Sequence, residues 1–243
     1  MMASPHITNP KLIGLEPRWA TFRGISLLFV NPASEADMGL YRALQEGLRQ
    51  LEDDALINEK LLRLLPNTAH HVTVWDGVND GNLSQVTPAF HSAWKEFLDE
   101  IPDPAASKSL LSDILSSELL KRQDWNLRLR CEQVENWSNI SLVVRLVPAD
   151  EPSEASLQQL MTARDALSDA FEARFGVRPH PCYTPHITLG YFANETLAAA
   201  ATEDVKRWNI DLLKRTEGLI LPLHRILPSL FEDMTSFDDD EHR

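Results

Sequence analysis

The chain has 243 residues, of which 43% are hydrophobic and 24% charged, and a net charge of −13. That length and balance support one large domain or two small lobes around a buried core, and exclude wholesale disorder. The acidic charge excludes coating of long DNA or RNA, whose phosphates it repels, but not a small nucleotide held by a few local basic groups.

Residues 1–23 hold Pro5, Pro10 and Pro17 without a hydrophobic period and read as an irregular lead-in. Ile25 to Val30 reads as a buried strand ended by Asn31-Pro32. Ser34 is placed to cap a helix with apolar positions Met38, Tyr41, Leu44, Leu48 and Leu51, continuing to Leu65 before Pro66 stops it. His71 to Trp75 reads as a strand, with turns at Asp76-Gly77 and Asp80-Gly81. Phe90, Trp94 and Phe97 suggest a helix, and 101–122 carries no decisive pattern. In the second half Leu127, Leu129 and Cys131 alternate with Arg128 and Arg130, a half-buried strand. Ile140 to Leu146 is another strand, broken by Pro148 and Pro152. Ser153 caps a helix carrying Leu157, Leu160, Leu167, Phe171 and Phe175, and Gly176 ends it. A strand from His186 to Phe192, a helix from about Thr196 to Lys214 and a strand from Leu219 to Leu223 follow. The acidic tail 238–243 reads as solvated and frayed.

No apolar run reaches the roughly 18–20 residues that span a bilayer, and the N-terminus lacks the pattern of a secretory signal. The two cysteines, Cys131 and Cys182, build no disulfide framework and fit a reducing compartment. The expectation is a cytoplasmic protein without membrane association.

The two halves repeat. Ile25-Ser26-Leu27 recurs as Ile140-Ser141-Leu142, and each is followed by a proline turn, a serine and an amphipathic helix. Each half then reaches a strand opening with His-x-Thr, His71-Val72-Thr73 and His186-Ile187-Thr188. Ile25 and His71 are 46 residues apart, as are Ile140 and His186, so one shift of 115 maps both landmarks. This reads as a duplicated strand–helix–strand unit forming two lobes, with one histidine from each at the pseudo-twofold axis. Residues i and i+2 of a strand share a face, so His71, Thr73 and Trp75 fall together, as do His186, Thr188 and Gly190. The opposite faces, with Val72 and Val74 or Ile187, Leu189 and Tyr191, suit a core. A neutral histidine can take a proton from an attacking oxygen and a protonated one can give a proton to a leaving oxygen, while threonine hydroxyls donate to phosphoryl oxygens. Gly190 leaves room for a ligand to approach the backbone.

Paired His-x-Thr motifs half a chain apart within a duplication resemble the 2H phosphoesterase superfamily, which includes RNA 2′,3′-cyclic phosphodiesterases and 2′-5′ RNA ligase-like proteins. The surroundings, His70 to Val78 and Thr184 to Tyr191, most resemble an uncharacterised bacterial and fungal branch. The resemblance implies a bilobal α+β fold with two antiparallel sheets around a central cleft, divided as a first lobe 24–123 and a second lobe 124–237 of a single domain. It also implies metal-independent chemistry on 2′,3′-cyclic or 2′-5′ phosphodiesters, with His71 and His186 as acid–base pair and Thr73 and Thr188 as phosphate binders. The long 101–123 segment and the acidic body depart from the compact bacterial RNA enzymes and favour a small nucleotide or short oligonucleotide.

Around this pair, Trp75 either stacks a nucleobase or packs in the core, and Tyr183 is a second stacking candidate. Arg128 and Arg130 share a sheet face that lines a phosphate-facing cleft or faces water. Arg145 is a lone charge in an apolar strand and takes no role. His180, Cys182 and His186 lie close in sequence but lack a carboxylate, so no metal and no cofactor are expected. A third His-x-Thr, His6-Ile7-Thr8, sits in the proline-bracketed terminus without a strand partner. The rival readings are a binding module that sequesters a nucleotide without turnover, an enzyme running in the ligase direction, and a metal-dependent hydrolase.

Overall fold

The computed structural model describes residues 6–51, 57, 59, 61–99, 104–178 and 182–239. Its strands in chain order are β1 (Leu12–Ile13), β2 (Arg18–Trp19), β3 (Gly24–Phe29), β4 (Leu62–Leu64), β5 (Thr73–Asn79), β6 (Leu127–Trp137), β7 (Ser141–Pro148), β8 (His186–Phe192), β9 (Leu221–Leu223), β10 (Ile226–Phe231) and β11 (Asp238–Asp239). The helices are α1 (Gly39–Leu51), α2 (Pro88–Asp99), α3 (Pro104–Leu110), α4 (Ser112–Leu115), α5 (Glu118–Lys121), α6 (Glu151–Phe175), α7 (Glu195–Ala200) and α8 (Thr202–Thr216). Two large antiparallel sheets, ordered β11-β10-β3-β5 and β4-β8-β7-β6-β9, make this an α+β fold of the expected class.

Each sheet takes a strand from the other half of the chain. Leu62–Leu64, expected as the end of a helix, pairs with β8 of the second sheet, and β10, which the sequence pattern does not mark, pairs with β3 along its whole length. Leu61 turns the chain into β4 with a left-handed backbone, φ 48°. The lead-in is not irregular either. β1 and β2 form a hairpin, Leu12 and Phe22 are buried, and the Thr8 and Asn9 amides donate to the Ala193 carbonyl. Within the acidic tail, Asp238 and Asp239 pair with β10, while 240–243 lie outside the described residues.

Helix α6 braces the joint between the sheets. Its N-cap is Asp150, whose carboxylate accepts from the Ser153 amide at 2.9 Å, so Pro152 sits in the first turn, where its missing N–H costs nothing. Ser153, read from sequence as the cap, is instead buried and accepts from the Arg128 amide. Leu160, Arg164, Leu167, Ser168, Phe171 and Phe175 recur at helical spacing on the buried face, and Gly176 closes the helix at φ 78°. Phe171 meets Trp75 edge-on at 5.0 Å and Trp94 at 5.8 Å, contacts each worth about 0.5–1.5 kcal/mol beyond their buried area.

Gly190 lies where β8 meets β4. A Cβ there would stand 2.5 Å from the Arg63 carbonyl oxygen and 3.0 Å from the Leu64 Cα. The close approach is therefore strand backbone rather than the ligand that the sequence suggested. Because backbone cannot swing aside as a side chain can, Gly190→Ala is expected to cost about 2–4 kcal/mol, read as a melting temperature lower by roughly 5–12 °C.

Candidate active site

The two sheets meet at one antiparallel bridge, Val72 to Ile187. These residues are equivalent under the 115-residue shift, so the bridge lies on the pseudo-twofold axis. Both side chains are fully buried, which turns His71, Thr73, His186 and Thr188 to the opposite face, where Thr73 and His186 line one cavity. All four are half-buried there. The antiparallel register sets His71 across from Thr188 and Thr73 across from His186. Cross-strand neighbours in such a pair lie about 4.5–5.5 Å apart and diagonal ones, such as His71 and His186, about 7–8 Å.

Each imidazole is held the same way. The Nδ1 of His71 lies 2.8 Å from the Ala69 carbonyl and that of His186 lies 2.9 Å from the Thr184 carbonyl, two residues earlier in each case. A carbonyl only accepts, so Nδ1 carries the proton and Nε2 keeps its lone pair. An aromatic ring packs on each histidine, Phe237 on His71 at 4.2 Å and Trp137 on His186 at 4.3 Å. Burial lowers the proton affinity of both. His71 falls to about 4, with the Ala69 carbonyl opposing the shift and the charges of His186, His70 and Lys11 adding to it. For His186 burial and Lys11 also lower the affinity, but the Thr184 carbonyl and the Asp76 carboxylate raise it. His70, behind His71, is buried with neither ring nitrogen hydrogen-bonded among the described residues, and burial drops it to about 4.

Strict alternation breaks down just past the motifs. Leu27 pairs with Trp75 and Leu28 with Thr73, so Val74 is an extra residue in β5. Leu142 pairs with Gly190 and Val143 with Thr188, so Leu189 is an extra residue in β8. Val74 and Leu189 are themselves repeat-equivalent, and each bulge reverses which face the following residues occupy. Trp75 thereby turns into the core, and Asp76 and Tyr191 turn to the cleft side. Asp76 accepts from the Ser26 hydroxyl at 2.8 Å, and Tyr191 packs with Leu12 and Phe22 rather than in the main core.

Of the expected substrate-binding residues, Trp75 is only 1% exposed, donates its indole N–H to the Ser168 hydroxyl at 3.1 Å, and has no face free to stack a base. Arg128 and Arg130 are exposed at the end of β6 remote from the cleft. Nine residues separate Arg128 from the cleft-lining Trp137, about 30 Å of strand, and Arg128 pairs with Asp150 at 2.6 Å. Tyr183 does reach the site, but its hydroxyl donates to the Thr73 carbonyl at 3.1 Å and so steadies that strand. His6-Ile7-Thr8 serves as packing, with the His6 carbonyl accepting from Asn194.

Beside His186 opens a cavity of about 490 Å³ lined by Thr73, Asp76, Trp137, Arg164, Tyr183 and other residues of these strands. Trp137, missed from sequence, is the half-exposed aromatic here. Ser138 and Asn139, at φ 53° and 57°, form the left-handed pair that turns β6 tightly into β7 and leaves Trp137 at the cleft edge. Arg145, directly across from His186 on β7, is neutralised by Glu132 at 2.7 Å and Glu135 at 3.8 Å. Arg164 is buried, donates to the Val74 carbonyl at 3.1 Å and lies 5.3 Å from the Tyr183 ring. Among the described residues no three His, Cys, Asp or Glu side chains converge as an ion site, and His180 lies outside them. No helix in the described residues is long and apolar enough to cross a membrane.

No protein-family model and no curated protein sequence matches the chain. Among solved structures it is similar to ATU0111, a conserved protein of unknown function from Agrobacterium tumefaciens, at 18% identity and a TM-score of 0.60 over 92% of this chain and 87% of that one. Usb1 from Kluyveromyces marxianus matches at 12% identity and TM-score 0.44 over 90% and 96% of the two chains, and LigT from Escherichia coli at 18% and 0.35 over 72% and 75%. What the likeness to ATU0111 shows is that the two chains share a fold.

Proposed function

We propose that this protein is a metal-independent phosphodiesterase that opens 2′,3′-cyclic or 2′-5′ linkages of nucleotides or short oligonucleotides by two-histidine acid–base catalysis. The observation that supports the reading is the Val72–Ile187 bridge, which sets the two His–Thr pairs side by side across a pseudo-twofold axis. His71, on which no carboxylate among the described residues acts to raise the proton affinity, is the base that activates water. His186, with Asp76 nearby, is the acid that protonates the leaving oxygen. Thr73 and Thr188 hold the non-bridging oxygens, and Trp137 offers a ring to a base. The net charge of −13 favours a small substrate over long RNA, and a content of only two cysteines fits a reducing cytoplasm.

Purified protein in chelator, incubated with 2′,3′-cyclic mononucleotides and 2′-5′ adenylates, should release monophosphates in a His186-dependent way, read by chromatography. Equal turnover by His186→Ala, or turnover abolished by chelator, would reject the mechanism. The pH profile follows from the shifts. The base is neutral above about 4, and burial puts the acid below the ordinary histidine value, so the alkaline limb of kcat/KM should fall at a lower pH than for a free imidazole. Asp76→Asn removes a group that raises the proton affinity of His186, so the alkaline limb should move to lower pH. An unmoved limb would separate Asp76 from the acid.

A further inference from the structure

We propose that Lys11, carried to the cleft by the N-terminal segment, is a binding group for the reacting phosphodiester, with Tyr191 as its positioning partner. This rests on the phosphodiesterase reading and adds a residue from outside both repeats. The Lys11 ammonium donates to the Tyr191 hydroxyl oxygen at 2.9 Å and sits 4.3 Å from the centre of that ring and 5.3 Å from that of Phe22. Its backbone is pinned on both sides. The Asn9 side chain accepts from the Lys11 amide at 3.1 Å and donates to the Phe192 carbonyl at 2.9 Å, and the Lys11 carbonyl accepts from the Ala20 amide at 3.0 Å. Tyr191 is the residue that the β8 bulge turns onto the face of His186 and Thr188. The Lys11 charge is accordingly felt at both imidazoles.

The arrangement is asymmetric in a way that suits an anion. The repeat position that holds Tyr191 in one half holds Asp76 in the other, so Lys11 stands beside one of these positions, while the Asp76 carboxylate at the other shares its cavity with Arg164. Arg145 is already neutralised by glutamates and Arg164 is engaged with the Val74 carbonyl. Lys11, by contrast, is held by a neutral phenol and two ring faces, which orient an ammonium without neutralising it. Accepting from Lys11 turns the Tyr191 proton away from the ammonium. The pair thus offers one charged and one neutral donor to the phosphoryl oxygens, whose charge persists through the transition state.

The test compares wild type, Lys11→Met and Lys11→Arg, with His186→Ala beside them, on 2′,3′-cyclic AMP and a 2′-5′ diadenylate. Methionine keeps the apolar stem between the rings, so a merely structural lysine predicts unchanged kinetics. Loss of a phosphate-binding charge should lower kcat/KM about tenfold or more on both substrates, and arginine should restore part of it. Removing the cation also raises the proton affinity of His71 and His186, so both limbs of the pH profile should move to higher pH. Wild-type kinetics and an unmoved profile in Lys11→Met would overturn the proposal. If wild type turns over neither substrate, the phosphodiesterase reading fails by itself. Calorimetry with adenosine 2′-monophosphate then decides the binding role: weaker binding to Lys11→Met supports it, and equal binding, or none to wild type, overturns it.

Discussion

His71→Ala and His186→Ala should each lower kcat by about two to four orders of magnitude, the range by which general acid–base groups accelerate proton transfer. In the proposed mechanism the two act in one proton relay, so the double variant should be little worse than the poorer single one. The assigned roles separate the singles. A nucleoside p-nitrophenyl phosphodiester has a leaving group that departs without a proton, so it should restore much of the activity of His186→Ala and little of that of His71→Ala. The opposite pattern would exchange acid and base, and equal rescue would end the division of labour. The folds should survive, because each imidazole is half-buried at the cleft and its ring nitrogen bonds only a carbonyl two residues away.

Trp75→Ala should destabilise the protein by about 3–5 kcal/mol, among the largest effects of any single substitution. The indole lies against Phe171 at 5.0 Å and its N–H is bound by Ser168, so truncation leaves a void beneath α6 and removes one of the two hydrogen bonds of the Ser168 hydroxyl. Trp75→Phe should keep most of the packing and lose about 1 kcal/mol with the hydrogen bond. Chemical denaturation measures both. KM below the transition should be unchanged in Trp75→Phe, whereas Trp137→Ala should raise KM with little change in stability. A KM defect at Trp75 without a stability loss would restore Trp75 as the base-stacking residue.

These two tryptophans show what was legible in the sequence. The paired His-x-Thr strands were legible because spacing and period survive the absence of coordinates: a 46-residue interval repeated, with valine or isoleucine between each histidine and threonine. Face assignment beyond Thr73 and Thr188 was not. One extra residue, Val74 or Leu189, inverts the positions just after it, and Trp75 and Tyr191 there are amphipathic enough to suit either side. Asp76-Gly77 read as a turn because that dipeptide favours one, yet cross-strand pairing with Ser26 carries the strand on to Asn79. Arg128 and Arg130 sit on a correctly read strand, but its 11 residues place them at the wrong end, a distance that periodicity does not report. Trp137 was findable, since Ser138-Asn139 between two apolar runs is a hairpin signal. Lys11 was not, because its place depends on contacts with residues some 180 positions away.

The exchange of β4 and β10 between the sheets also governs how the molecule is made. On the ribosome, β3 emerges with its partner β5 within about 50 residues, but its other edge stays open until β10 follows some 200 residues later. β4 likewise waits for β8, more than 120 residues downstream. Neither sheet can be completed from its own half, so the nascent first half carries an unpaired, largely apolar edge at Gly24–Phe29 for most of synthesis. Long-range closure of this kind makes folding slow and cooperative, and the cleft with its two histidines forms only as the last strands dock.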